Sequence, residues 1–207
     1  MQFATTAFQM DYYHHKVPDA AFPGWRGSSP ELGDVWVSYP YQLGPEAIRS
    51  VVRGENIPTV LYDAKGAHVT SVMSMPTLNF GTLKVGEEEV AMSRNRLGLS
   101  QRGRALHMTY RTDTYMLWAI DTNYYAFARK PSGERTGVTI EVRQHAGKGR
   151  LPLMRNQCRT VTIDGHAEPT DLALAVMFSG VDCSTLTPGG AVKALFARGR
   201  DLIVENG

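Results

Sequence analysis

The sequence predicts a mainly β fold: an antiparallel barrel-like domain with a buried apolar C-terminal helix. Two observations carry that expectation. About ten short stretches rich in β-branched and aromatic residues recur between residues 34 and 164, with turn residues between them. Near the end, "EPTDLALAVMFSG", residues 168–180, holds an unbroken apolar run from Leu172 to Phe178. A helix that is apolar on every side must be enclosed by protein or lie in a membrane, and about ten residues are too few to cross one. A closed barrel accounts for both observations. It removes sheet edges, and about a dozen strands leave a lumen too wide for side chains alone to fill. The sequence leaves a second reading open, an amphipathic helix on one sheet face with Ser179 and Asp182 at its wet end.

Taken in order, residues 1–33 read as an extended N-terminal arm, because Pro18, Pro23, Gly24, Gly27, Pro30 and Gly33 interrupt any regular element. Its aromatics, among them Tyr12, Tyr13 and Trp25, would pin it to the body, a single domain over 34–207. "DVWVSYP" and "IRSVVR" read as strands. In "IPTVLYDAKGAHVTSVMSM", Asp63-Ala64-Lys65-Gly66 has the residues of a type I turn and predicts a hairpin. "FGTLKVGEEEVAMSR" turns near Gly86, and "ALHMTYR" and "YMLWAID" flank Thr112 and Asp113. Lys130-Pro131-Ser132-Gly133 separates two further strands. The second of these alternates, with Val138, Ile140 and Val142 on one face and Thr139, Glu141 and Arg143 on the other. "RTVTID", residues 159–164, is the last strand before the helix.

The helix is predicted over about 171–179, with capping chemistry in Pro169, Thr170 and Asp171 and a stop at Gly180. Leu172, Leu174, Val176 and Phe178 are its expected buried residues. A second short helix is expected over about 189–198, and "DLIV", residues 201–204, as a closing strand.

Strand pairs followed by a short, nearly all-apolar helix resemble the tubby-like barrel superfamily: the tubby C-terminal domain, the LURP-one-related proteins and the phospholipid scramblases. "IPTVLYDAKGAHVTSV", "YMLWAIDTNYYAFARKPSGERTGVTIEV" and "TDLALAVMFSG" carry the resemblance, over about residues 34–180. It implies a twelve-stranded antiparallel barrel around a central helix. It also implies binding rather than catalysis, with phosphoinositide recognition or membrane association as the role. No stretch matches the tubby lipid pocket residue by residue, so no binding residue is carried over.

The totals bound the function. With 22 Lys+Arg against 20 Asp+Glu, the charge of +2 argues against a dedicated nucleic-acid binder. Two cysteines, Cys158 and Cys183, are too few for a disulfide framework or a four-ligand zinc site and read as reduced thiols. No apolar run reaches the length of a membrane span, and "MQFATTAFQMDYYHHK" lacks the pattern of a secretory signal. The expectation is a soluble cytoplasmic protein, peripheral to a membrane at most.

Charge is unevenly distributed. Residues 91–112 contain Arg94, Arg96, Arg102, Arg104, Arg111 and His107 without a carboxylate until Asp113. Residues 142–160 contain Arg143, Lys148, Arg150, Arg155, Arg159 and His145, again without one. Arginine grips phosphate through a planar fork of donors, so Arg94, Arg96, Arg102, Arg104, Lys148 and Arg150 are the candidate anion- or lipid-binding residues. The alternative is that both stretches are solvated loops. Catalysis has little footing: no metalloprotease, P-loop or dinucleotide motif is present, which implies no cofactor and no bound metal. The expected function is a non-enzymatic binding or adaptor module for anionic phospholipid headgroups. A second class is a protein-interaction scaffold that recruits a protein partner through the arm or through strand edges, and a third is a small-ligand or enzymatic barrel, which requires an open lumen.

Overall fold

The structure, a computed structural model, describes residues 5–17, 20–39, 48–64, 75–78, 81–95, 100, 102–133, 135–145 and 157–187. Twelve strands follow one another: β1 (Thr6–Val17), β2 (Ala20–Ser29), β3 (Gly33–Ser38), β4 (Ile48–Gly54), β5 (Val60–Ala64) and β6 (Gly81–Val85), then β7 (Glu88–Arg94), β8 (Leu106–Tyr110), β9 (Asp113–Asp121), β10 (Tyr124–Arg129), β11 (Val138–His145) and β12 (Cys158–Asp164). Each pairs antiparallel with its chain neighbours, and β1 pairs with β12, so the sheet closes into a barrel. Met10 lies opposite Arg159 and Phe8 opposite Val161 at the seam.

Closure follows from alternation. Val138, Ile140 and Val142 face the lumen and are buried, while Arg143 on the opposite face is exposed. Turns fall where residue chemistry allows them: Gly86 and Gly133 adopt positive φ (58° each), a conformation glycine takes without steric cost.

The plug is α1 (Pro169–Met177), continued by a 3-10 turn, Phe178–Gly180. At about 1.5 Å per residue in the helix and about 2 Å in the turn, it spans about 20 Å, the length of a six-residue strand. Every residue from Asp171 to Gly180 is buried, including Leu172, Leu174, Val176 and Phe178. The helix packs against β4 and β5 on one side and β10 and β11 on the other, which excludes the single-face alternative. Ser179, the expected wet end, is fully buried and lies 3.0 Å from the Tyr125 hydroxyl.

Three expectations need correction. Residues 6–29 are not an arm: β1 and β2 form part of the wall, and without them the barrel would not close. The glycines that suggested a break are places of close backbone approach. A Cβ at Gly24 would strike the Val37 carbonyl, and one at Gly27 the Gln9 carbonyl. The strand expected to pair with β5 through Asp63–Gly66 is not its partner: β5 pairs with β4 and β6, and residues 65–74 lie outside the described residues. The helix begins two residues earlier than expected, with Glu168 at the cap and Asp171 inside the first turn, where its Oδ2 accepts the Glu168 N–H (2.8 Å). The expected helix at 189–198 and strand at 201–204 lie outside the described residues.

Candidate functional site

Up-and-down topology sorts every connection to one of two ends. One end carries the connections 30–32, 55–59, 86–87, 111–112 and 130–137, together with the start of α1. The other carries the longer connections 39–47, 65–80, 95–105 and 146–157, the short connections between β1 and β2 and between β9 and β10, and the chain leaving the plug. Both arginine-rich stretches belong mainly to this loop-rich end. The strands that bracket them, β7 with β8 and β11 with β12, end at the same rim, separated only by the β9–β10 hairpin.

Individual arginines do different work. Arg94 and Arg104 are turned to structural use: Arg94 Nη1 donates to Thr185 Oγ1 (2.6 Å), and buried Arg104 Nε donates to the Leu186 carbonyl (3.3 Å). They hold the 3-10 turn Ser184–Leu186 that follows the plug. Arg102 is exposed at the rim, whereas Arg96, Lys148 and Arg150 lie outside the described residues. Arg143 is exposed and stacks over the Tyr124 ring at 4.4 Å. Arg49, also at this rim, is neutralised by Asp63 (2.6 Å). Arg111 departs from the expected cluster. It sits at the opposite end, where its guanidinium forks onto Glu88 (2.8 and 2.9 Å) and holds that carboxyl below its usual range.

Sequence reasoning missed the cations inside the barrel. Arg129 ends β10 facing inward, and its Nε lies 3.0 and 3.1 Å from the two carboxylate oxygens of buried Asp171. Burial pushes the Asp171 carboxyl up, and the Glu168 N–H and Arg129 pull it back. Arg135 bridges Asp113 (3.0 Å) and Glu168, so the positive end of the helix dipole meets two acids that are themselves held by arginines. At the far end of the plug, neutral wall donors cap the last carbonyls. Tyr125 Oη donates to Ala175 O (2.9 Å), Trp25 Nε1 to Ser179 O (3.1 Å) and Ser50 Oγ to Gly180 O (2.6 Å). Arg159 stands beside them, buried, over the Trp25 ring at 4.2 Å. The signal for both inward arginines was present in the alternation: Tyr125, Phe127 and Arg129 share one face, as do Arg159, Val161 and Ile163.

Among the described residues, no group of three or more His, Cys, Asp or Glu side chains is placed to hold a metal, and both cysteines are free. No described helix is long and apolar enough to cross a membrane. No family model, curated protein or solved structure matches the chain. A barrel closed around a helix does not by itself identify a family.

Proposed function

We propose that the chain is a non-enzymatic binding or adaptor module of tubby-like type, whose loop-rich end recognises anionic, phosphoinositide-containing membrane surfaces from the cytoplasmic side. One observation carries the reading: the strands that bracket both arginine-rich stretches end at a single rim. Each basic residue brought near an anionic surface contributes about 1 kcal/mol, screened by salt. Several on one rim act together where the same charges spread over the barrel would not. The scaffold alternative loses the arm, because β1 and β2 form part of the wall.

The test is co-sedimentation with phosphatidylcholine vesicles, with and without a phosphoinositide, at low and high salt. Wild type should bind only the phosphoinositide vesicles and release as salt rises. The variant R102E/K148E/R150E, which spares the structural Arg94 and Arg104, should bind at least about tenfold more weakly. Absence of binding by wild type, or equal binding by the variant, would return the basic stretches to solvated surface.

A further inference from the structure

The outer wall of the barrel is mostly polar: Arg49 and Arg53 face out from β4, and Thr82 and Lys84 from β6. β9 is the exception among the described strands. Its lumen face carries Tyr115, Leu117 and Ala119, so Met116, Trp118 and Ile120 face outward in succession. One exposed apolar residue is ordinary on a protein surface, whereas three large ones in a row on one strand are not. Ile120, 39% exposed, is the one exposed large apolar side chain among the described residues.

Two features of strand pairing bring this stripe to the loop-rich rim. β8 pairs with β9 only as far as Leu117, so Trp118 to Asp121 run past the end of β8. In the ladder with β10, Tyr125 lies opposite Ala119 and Tyr124 opposite Asp121, which leaves Ile120 as an extra, bulged residue. Such bulges re-aim side chains and recur beside functional sites. At about 3.4 Å per residue, Trp118 stands about 7 Å behind Ile120. Tyr124 begins β10 next to them; its hydroxyl donates to Glu141 Oε2 (2.5 Å), and exposed Arg143 lies over its ring. The carboxylate in the turn, Asp121, accepts the Asn123 N–H (2.7 Å). In strand order the β7–β8 connection, with exposed Arg102, lies on one side of this hairpin. The β11–β12 connection, whose sequence holds Lys148, Arg150 and Arg155, lies on the other.

We propose that the tip of the β9–β10 hairpin is the element that enters the bilayer, an inference that rests on the membrane-surface function and adds an apolar contact to it. An apolar tip between two positive stretches complements a surface that is anionic outside and apolar beneath, the layering of a phospholipid leaflet. Ile120 reaches the acyl boundary, Trp118 and Tyr124 lie at headgroup level, and the basic stretches meet lipid phosphates. The depth agrees: interfacial apolar faces enter by about 5–10 Å, and Trp and Tyr settle where one part of the ring is dry and the other wet.

Vesicle binding by the full chain, read through tryptophan fluorescence, tests the insertion. The three tryptophans are Trp25, which is buried, Trp118, and Trp36 on β3, six strands away around the barrel. Phosphoinositide vesicles with brominated acyl chains should quench the emission of the Trp36→Phe protein and leave that of Trp118→Phe unchanged. Ile120→Gln should bind about tenfold more weakly than wild type while keeping its Tm and its salt sensitivity, because it removes an exposed apolar side chain and no charge. Ile120→Leu should bind as wild type does. In a wild type that binds, absence of Trp118 quenching or equal binding by Ile120→Gln overturns the insertion and leaves the basic rim standing. A wild type that does not bind phosphoinositide vesicles overturns both. Self-association abolished by Ile120→Gln, without quenching, would make the hairpin an interface between copies and also overturn the insertion.

Discussion

The two ends of the barrel use the same amino acid in opposite ways. At the end where the helix enters, arginines meet carboxylates. Arg129 lies on Asp171, Arg135 on Asp113 and Glu168, and Arg111 on Glu88. At the end where the plug leaves, the helix carbonyls are capped by neutral Tyr125, Trp25 and Ser50; Arg49 is paired with Asp63, but Arg102 and Arg143 are exposed and Arg159 is buried without a carboxylate among the described residues. Most of the long connections lie at the second end; the exceptions are the short β1–β2 and β9–β10 connections there and the longer 130–137 at the first end. One end is sealed by matched charge. The other keeps positive charge in excess of its partners, which is where an anionic ligand gains most.

Substitutions should separate the plug from its two ends. Leu174→Asp, in the middle of α1, places an unpaired charge among apolar neighbours. It should cost several kcal/mol and leave the protein unfolded or molten by near-ultraviolet circular dichroism. A folded Leu174→Asp protein with the wild-type Tm would contradict the enclosed plug. At the sealed end, Arg129→Met strands the Asp171 carboxylate and should cost about 3–5 kcal/mol in urea unfolding. The double variant R129M/D171L should recover most of that loss, and no recovery would show that the pair is not the coupled unit described. At the loop-rich end, Tyr125→Phe removes the neutral cap from Ala175 and Ser179 together with a hydrogen bond to Arg159, and should cost about 1–3 kcal/mol. A Tyr125→Phe cost equal to that of Arg129→Met would erase the contrast between the ends.

How much of this was legible in the sequence depended on whether local pattern or long-range pairing decided each feature. The alternation of Val138, Ile140 and Val142 and the turn glycines Gly86 and Gly133 are local, and they appear as expected. The plug was legible because an apolar run with no polar face has few places to go. β1 and β2 were not, since Pro23, Gly24 and Gly27 weaken the local strand signal while pairing with β3 and β12 determines their shape. Partner choice for β5 was likewise non-local: a turn-like Asp63–Gly66 gave no hint that β6 lay beyond residue 80. For the candidate site, counting charges placed Arg94 and Arg104 with the exposed basic residues, although both reach inward to the segment after the plug. Reading direction together with charge would have found Arg129 and Arg159, each in phase with buried neighbours on its strand.

Hydrogen–deuterium exchange in the presence of phosphoinositide vesicles tests the asymmetry of the two ends most directly. Peptides covering 95–105 and 146–157 should exchange more slowly when vesicles are added, while those covering 30–32, 86–87 and 111–112 should be unchanged. Protection at the sealed end, or equal protection at both, would contradict the assignment of binding to the loop-rich rim.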